Sequence, residues 1–330
     1  MSPASPRSVA SAAGKPATTQ RVLAYAAIYL LWGGSFLGIR DVVAVTPPFF
    51  AAGFRFVIAG GALYLMARMS GARPPSRRQL WHSFGMGVVM FGGNYACLFF
   101  AEQRLASGIA AVLTAMVPVW VFLGEWLVFR VQRLTVSTLA GMALGISGVV
   151  LLSRSTTGGG ILSANGIAVM VLILGTLLFS SATLWSRRLT LPDEQTMRAS
   201  LQMLLGGFVL LGFSGLCGEF GRVPAAIHAW RWHTVFSMLY LIVAASIVAF
   251  TAYTWLIHHD SASRVSSYAY VNPLVALAIG TTFAHERMSP EEWAGSALIL
   301  AGVVSTLLGK QATAPRQIAP SRAGLARPPA

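Results

Sequence analysis

Apolar residues run through this chain in long blocks, and the polar residues collect in the short stretches between them. A helix needs about 20 mostly apolar residues to cross the hydrocarbon core of a bilayer. Ten segments meet that requirement: 22–39, 48–67, 81–101, 106–129, 134–152, 165–185, 196–217, 234–257, 263–283 and 290–308. The pattern predicts an all-α integral membrane protein with ten transmembrane helices. A Ser289-Pro290-Glu291-Glu292 opening predicts a capping box at the start of the tenth.

The blocks also repeat. Ala262-Ser263-Arg264-Val265-Ser266 enters an apolar run that contains Pro273, and Ser107-Gly108-Ile109-Ala110-Ala111 enters one that reaches Pro118. Glu286-Arg287 follows the later run, and Gln132-Arg133 follows the earlier one. The Gly-rich stretch 155–160 divides the ten segments five and five. With an odd number of spans in each half, the second half must enter the membrane from the opposite side, so the expected architecture is two five-helix inverted-topology repeats. The expected organisation is a disordered cytoplasmic N-terminus at 1–21, a first repeat at 22–153, a linker at 154–164, a second repeat at 165–309 and a disordered cytoplasmic tail at 310–330.

Composition agrees with a bilayer as solvent: 55% of residues are hydrophobic and 10% charged, against about a quarter charged in soluble domains. A net charge of +14 would suggest nucleic acid in a soluble protein. Here the cations follow topology. With a cytoplasmic N-terminus, 17 of the 24 Lys and Arg fall in inside segments and six in outside ones, leaving Arg55 within a span. The positive-inside rule therefore puts both termini in the cytoplasm and removes the need for a nucleic-acid partner. Cys97 and Cys217 provide no disulfide framework. Arg40-Asp41 after the first block argues for a retained helix over a cleaved signal. Gly pairs and Gly141-x-x-x-Gly145 are read as packing positions.

Several motifs resemble tandem EamA domains of the drug/metabolite transporter superfamily, and more narrowly the YedA-like metabolite exporters of bacteria. They are Trp32-Gly33, Pro48 followed by Arg55, Gly93-Asn94, Ala101-Glu102-Gln103, Ser107 to Pro118, Ser267 to Pro273, and Glu286-Arg287. The resemblance implies a multi-pass permease of the bacterial inner (plasma) membrane, an exporter of small metabolites such as amino acids or toxic analogues. Gln132 and Gly34 depart from the pattern, where a Glu and a Ser are expected; Ser35 is available to replace the second.

An ionisable side chain inside a span is costly unless it faces a cavity or a partner, which makes Arg55 the first candidate substrate-binding residue. It lies seven residues, or ~10 Å, from the start of its segment, with Asn94 at similar depth. The alternative is a permanent tie of Arg55 to Glu102 or to backbone carbonyls, as a fastener between helices. Gln202 holds the corresponding place in the seventh segment, and Trp32, Tyr270 and Asn272 complete the expected substrate-binding set, with Tyr253 and Tyr268 as further lining aromatics. Glu102 is the proton-coupling candidate. Pro118 and Pro273 each free a carbonyl one turn earlier and are expected to kink or gate their helices. Glu125 is expected to snorkel to the inner surface beside Arg130.

The competing class is an intramembrane enzyme acting on a lipid or peptide; a metabolite or phosphate exchanger of the same superfamily is the other alternative. His258-His259-Asp260 lacks a His-Glu-x-x-His context and reads as a solvated loop. No cofactor, metal site or enzymatic activity is expected. The partners are a small-molecule substrate and the lipid bilayer, with monomer and homodimer both open.

Overall fold

The computed structural model describes residues 18–130, 134–157, 163–260 and 262–313. All regular structure among them is helical. In chain order the long helices are α1 (Thr18–Val43), α2 (Pro48–Met69), α3 (Arg77–Ala101), α4 (Ser107–Leu127), α5 (Val136–Thr157), α6 (Ala164–Ser186), α7 (Gln195–Leu216), α8 (Trp232–His259), α9 (Tyr268–Phe283) and α10 (Pro290–Thr313). Eight of these are long and apolar enough to cross a membrane, while α9 and the apolar part of α5, Val136–Leu152, are apolar but shorter. Each expected segment is helical over most of its length, with interruptions inside 106–129 and 263–283. Residues 18–21 and 310–313, assigned to the ends by the sequence, are helical; 1–17, 131–133, 158–162, 261 and 314–330, Gln132 among them, lie outside the described residues.

Local chemistry fixes several starts. Pro48 opens α2, where its missing N–H costs no intrahelical bond. Ser76 and Gln79 form a reciprocal capping box at α3, with Ser76 N donating to Gln79 Oε1 at 2.8 Å. The box expected at α10 is present, as Ser289 N donates to Glu292 Oε2 (2.8 Å) and Glu292 N to Ser289 Oγ (3.2 Å).

Contacts between helix ends define two faces. At the near face, where α1 begins, the Tyr25 hydroxyl donates to Asp260 (3.1 Å) and Thr190 N to His82 Nδ1 (2.9 Å). At the far face, where α1 ends, Phe50 N donates to Glu219 (2.9 Å) and Trp230 Nε1 to the Thr46 hydroxyl (2.8 Å).

Close backbone approach organises the interior. A Cβ on Gly60 would sit 2.5 Å from Leu204 N, and one on Gly207 would sit 2.8 Å from Val57 N, so α2 and α7 run antiparallel in near contact. The same holds for α5 and α10, where a Cβ on Gly148 would meet Gly295 O at 2.7 Å and one on Gly302 would meet Gly145 N at 2.5 Å. Where lipid tails are as apolar as leucine, small residues of this kind permit the dispersion contacts that hold helices together. Gly61 is an exception among the expected packing glycines, with open space around it.

The polarity of the fold is inverted relative to a soluble protein. Leu65, Val136, Phe208 and Phe236 are exposed, whereas Arg55, Asn94, Gln202, Ser246 and Asn272 are buried. Apolar side chains thus face outward as well as inward, and the polar groups of the spans are kept inside.

Two helices carry π-helical insertions, Gly87–Gly93 in α3 and Leu241–Val248 in α8, and their first residues are 154 positions apart. Pro118 and Pro273 are 155 apart. The two prolines act differently from the expected pair of kinks. In α4 the helix breaks at Ala115-Met116 and restarts at Val117, so Pro118 sits in a new first turn. In α9 the helix runs through Pro273, and the interruption comes earlier, at Ser266-Ser267 after the short helix Ala262–Val265. A proline in a first turn leaves no broken hydrogen bond, while one inside a helix does.

Candidate functional site

The π insertions matter because of what they present. A π turn shifts the side chains that follow it and exposes a backbone carbonyl, and such turns recur at functional sites. Both insertions border a cavity of about 310 Å³ between the two halves, lined by Met90 and Phe91 from one and by Ala245 and Ser246 from the other. Asn94 and Tyr95 follow the first insertion into the same wall. The lining reaches Gln195 and Arg198 in the first turn of α7 at the near face and stops at Ile39 and Leu98 toward the far face.

Arg55 is 3% exposed and lines this cavity. Its Nε donates to the Ser246 hydroxyl at 3.0 Å, and that hydroxyl donates to Leu241 O at 2.9 Å within the π insertion. The guanidinium carbon lies 4.9 Å from the Phe56 ring centroid and 5.9 Å from that of Tyr95. Nη1 has no hydrogen-bond partner. Arg55 and Glu102 form no ion pair within 4.0 Å, so the expected alternative of a direct tie between them is not the arrangement in the fold.

Asn94, Gln202, Trp32 and Asn272 line the cavity with Arg55, as do Pro118 and Pro273. Trp32 is fixed by its Nε1 donating to Ala245 O at 2.9 Å, a carbonyl of the second insertion. The Asn272 Oδ1 is buried without a partner.

Tyr270 is not in this group. It lies in a separate shallow groove with Leu274, Ser137 and Leu300, between α9, α5 and α10. Two positions earlier Tyr268 takes the inward place, because residues two apart on a helix point about 200° from one another. Tyr268, Tyr253 and Trp32 pack ring on ring, with centroids 5.2 to 6.0 Å apart.

Beyond the expected set the lining adds much apolar surface and three residues that bear on the chemistry. Ser246 is a lone hydroxyl within an apolar octet, and Arg198 stands one helical turn before Gln202, a spacing that places both on one face of α7. Phe250 is the third, one turn from Ser246. The Gly34 departure also has a physical account: a Cβ there would meet the Tyr240 hydroxyl at 2.7 Å, and that hydroxyl donates to Leu31 O at 2.9 Å. Ser35 lines the cavity with its hydroxyl turned back to Trp32 O.

Beyond the far end of the cavity lies a charged cluster. Glu286 pairs with Arg40 and accepts from Ser107 N (2.9 Å), the Ser107 hydroxyl (2.8 Å) and Gly108 N (3.3 Å). The first turn of α4 is a natural seat for a carboxylate, since its N–H groups lack intrahelical partners. Burial alone would raise the Glu286 carboxyl, but the Ser107 and Gly108 donors and Arg40 outweigh it and hold it below the usual range. Glu102, the first residue after α3, is 1% exposed. The Arg40 amide faces it, yet neither carboxyl oxygen makes a hydrogen bond of normal geometry. Burial, then the neighbouring Glu286, push Glu102 well above the ordinary carboxylate range, against the pull of Arg40 and Arg55. Glu102 does not line the cavity.

At the near face the expectation for Glu125 is overturned. It is 1% exposed and accepts from Arg187, the residue that ends α6, at 2.7 Å, so it is tied into the bundle instead of reaching water beside Arg130. His258 and His259 lie in the last turn of α8, exposed, with the His259 ring stacked on Trp255. Asp260 accepts from Tyr25 and Arg264. Among the described residues no three His, Cys, Asp or Glu side chains cluster as metal ligands would.

Comparison with known proteins agrees with this architecture. The model of the EamA-like transporter family matches twice, at residues 21–154 and 166–308. The "Uncharacterized inner membrane transporter YedA" of Escherichia coli K12 is 32% identical over 86% of this chain and 89% of its own length. "Protein PecM" of Dickeya dadantii is 26% identical over 83% of this chain and 88% of its own. A "Probable amino-acid metabolite efflux pump" of Salmonella typhimurium is 25% identical over 86% and 93%. One solved crystal structure shares 17% identity at a TM-score of 0.57, covering 89% of this chain and 99% of that one, a likeness of fold. Two matched repeats that together take in nearly all the helices, and a 32% identical relative along most of the chain, make this protein a member of the EamA-like transporter family.

Proposed function

We propose that the chain is a ten-span permease of the bacterial inner membrane with both termini cytoplasmic. Its two five-helix halves lie in opposite orientation, and it exports small amphipathic metabolites, amino acids or toxic analogues among them, by alternating access. The observation that carries this reading is a buried Arg55 with a free Nη1 on the wall of a cavity between the halves. An unneutralised guanidinium at such depth is costly and is expected to serve a substrate. The antiparallel contact of α2 with α7 and of α5 with α10 supports the inverted relation, because each pair holds the same place in its half. The amino-acid element draws on the Salmonella relative's description.

In this reading the cavity is open to the cytoplasm and closed outside by Arg40, Glu286, Ser107 and Glu102. Glu102 is the group that exchanges a proton when that closure opens. Family membership favours transport over intramembrane enzymology. The test begins with thermal stabilisation of the purified protein by amino acids, nucleosides, sugars and cationic drugs, since a ligand that binds the native state raises its stability. Compounds that stabilise are then followed as radiolabelled flux in sealed proteoliposomes. Stabilisers that never cross, together with turnover of a lipid or peptide, would sink the reading.

A further inference from the structure

The cavity wall contains two guanidinium groups and, among the described residues, no carboxylate. Neither cation makes an ion pair among the described residues. Arg55 is met by a hydroxyl and two ring faces. Arg198 donates Nε and Nη2 to Pro192 O at 3.0 and 2.9 Å, a carbonyl that leaves its charge in place. Of the acidic residues close by in sequence, Asp193 is exposed and Glu194 accepts from Thr196 N and Met197 N as the cap of α7. Glu102 lies beyond the far end and outside the lining.

A substrate ammonium would therefore meet two like charges and no counter-ion, an arrangement that disfavours the charged form in a poorly solvated site. The aromatic wall forms no open cage around a cation, and two of its rings, Phe56 and Tyr95, already face Arg55. Trp32, Tyr253 and Tyr268 touch one another at 5.2 to 6.0 Å between centroids, the spacing of packed rings, and leave no gap for a cation among them. Neutral acceptors remain at Asn94, Gln202 and Asn272. They orient a ligand without balancing its charge.

Resting on the transport reading above, we propose that the cavity selects amphipathic carboxylates that lack an ammonium group, over the amino acid or amine of the same skeleton. The carboxylate sits at Arg55, the apolar body lies against Phe250 and the Tyr253 and Tyr268 rings, and Arg198 draws the anion in at the near face.

The experiment uses the purified full-length chain and three compounds of one phenyl skeleton carrying charges of about −1, 0 and +1 at neutral pH: 3-phenyllactate, L-phenylalanine and phenethylamine. A leucine-skeleton series, 2-hydroxyisocaproate, L-leucine and isopentylamine, is run in parallel. Binding is read by thermal stabilisation and by tryptophan fluorescence. In at least one series the hydroxy acid should bind about 10-fold tighter than the amino acid, and the amine should leave the melting curve unmoved. Arg55→Gln should abolish the anion's effect, and Arg198→Gln should weaken it a few-fold. Equal or tighter binding of the amino acid or amine overturns the proposal, and so does failure of both hydroxy acids to bind at millimolar concentration. Binding needs no flux, so an anion that binds without crossing vesicles would sink the transport reading and leave this one standing. Carriage of zwitterions alone would do the reverse.

Discussion

Arg55 of α2 and Ser246 of α8 are joined by a hydrogen bond of 3.0 Å, a link between residues 191 positions apart that ties the two halves through the wall of the cavity. The Ser246 hydroxyl is itself held by Leu241 O in the π insertion, so the direction of the guanidinium is set by an irregular backbone in the other half.

This chain of contacts predicts how substitutions at the two residues differ. Arg55→Lys keeps the charge and loses the planar fork, so substrate flux should fall moderately; Arg55→Gln should fall by orders of magnitude with membrane insertion intact. Ser246→Ala removes one charge-assisted hydrogen bond, of about 1.5–3 kcal/mol, and should raise the apparent KM more than it lowers the maximal rate. Because Arg55 and Glu102 are not paired, the double change Arg55→Gln with Glu102→Gln should not restore flux. Recovery in that double mutant, measured in proteoliposomes, would overturn the role of Arg55 as anchor.

Glu102 and Glu286 should answer pH with opposite sign. The Glu102 carboxyl is raised, so the far-face closure is stabilised at low pH, and that contribution is lost as pH rises through the folded-state value. Glu286 is lowered, so its contribution is present above the unfolded carboxylate value and is lost as pH falls through its folded value. Melting temperatures across pH should show Glu102→Gln flattening the alkaline slope and Glu286→Gln flattening the acid one. Identical profiles for the two variants would contradict this assignment.

The glycine contact between α5 and α10 predicts large steric effects. Gly148→Leu places side-chain carbon where Gly295 O and Ile299 N already lie within 2.7 Å of a Cβ, and it should cost more than the usual 1–3 kcal/mol of overpacking. Gly61→Ala, with open space around it, should be neutral within error in a thermal-stability assay.

Topology is tested by single cysteines in a chain lacking Cys97 and Cys217. Gly221 and Ser76 are exposed on opposite faces. Gly221→Cys should react with an impermeant thiol reagent in intact cells and Ser76→Cys should not. Labelling of the latter would reverse the orientation.

The all-helical, membrane-type character was legible in the apolar blocks, eight of which are helices long and apolar enough to cross a bilayer, because the bilayer forces a length and composition that survive any detail of packing. Which side of a helix faces inward was less legible. Tyr268 and Tyr270 are chemically alike, and only the interruption at Ser266-Ser267 and the packing of α9 decide which of them meets Trp32. The pairing of Glu125 with Arg187, 62 positions away, depends on tertiary proximity that no local pattern encodes. Ser246 escaped notice for a related reason: its role comes from a π insertion, a backbone irregularity to which residue propensity gives no clue.

The close fit of α5 against α10 also bears on biogenesis. The glycine surface of α5 is made well before the helix it fits, α10. Until then α5 must wait in the lipid with its groove open. This contact therefore forms only once α10 has been made, and a chain truncated before Pro290 would expose that groove to other helices and to the proteases that clear orphaned membrane segments.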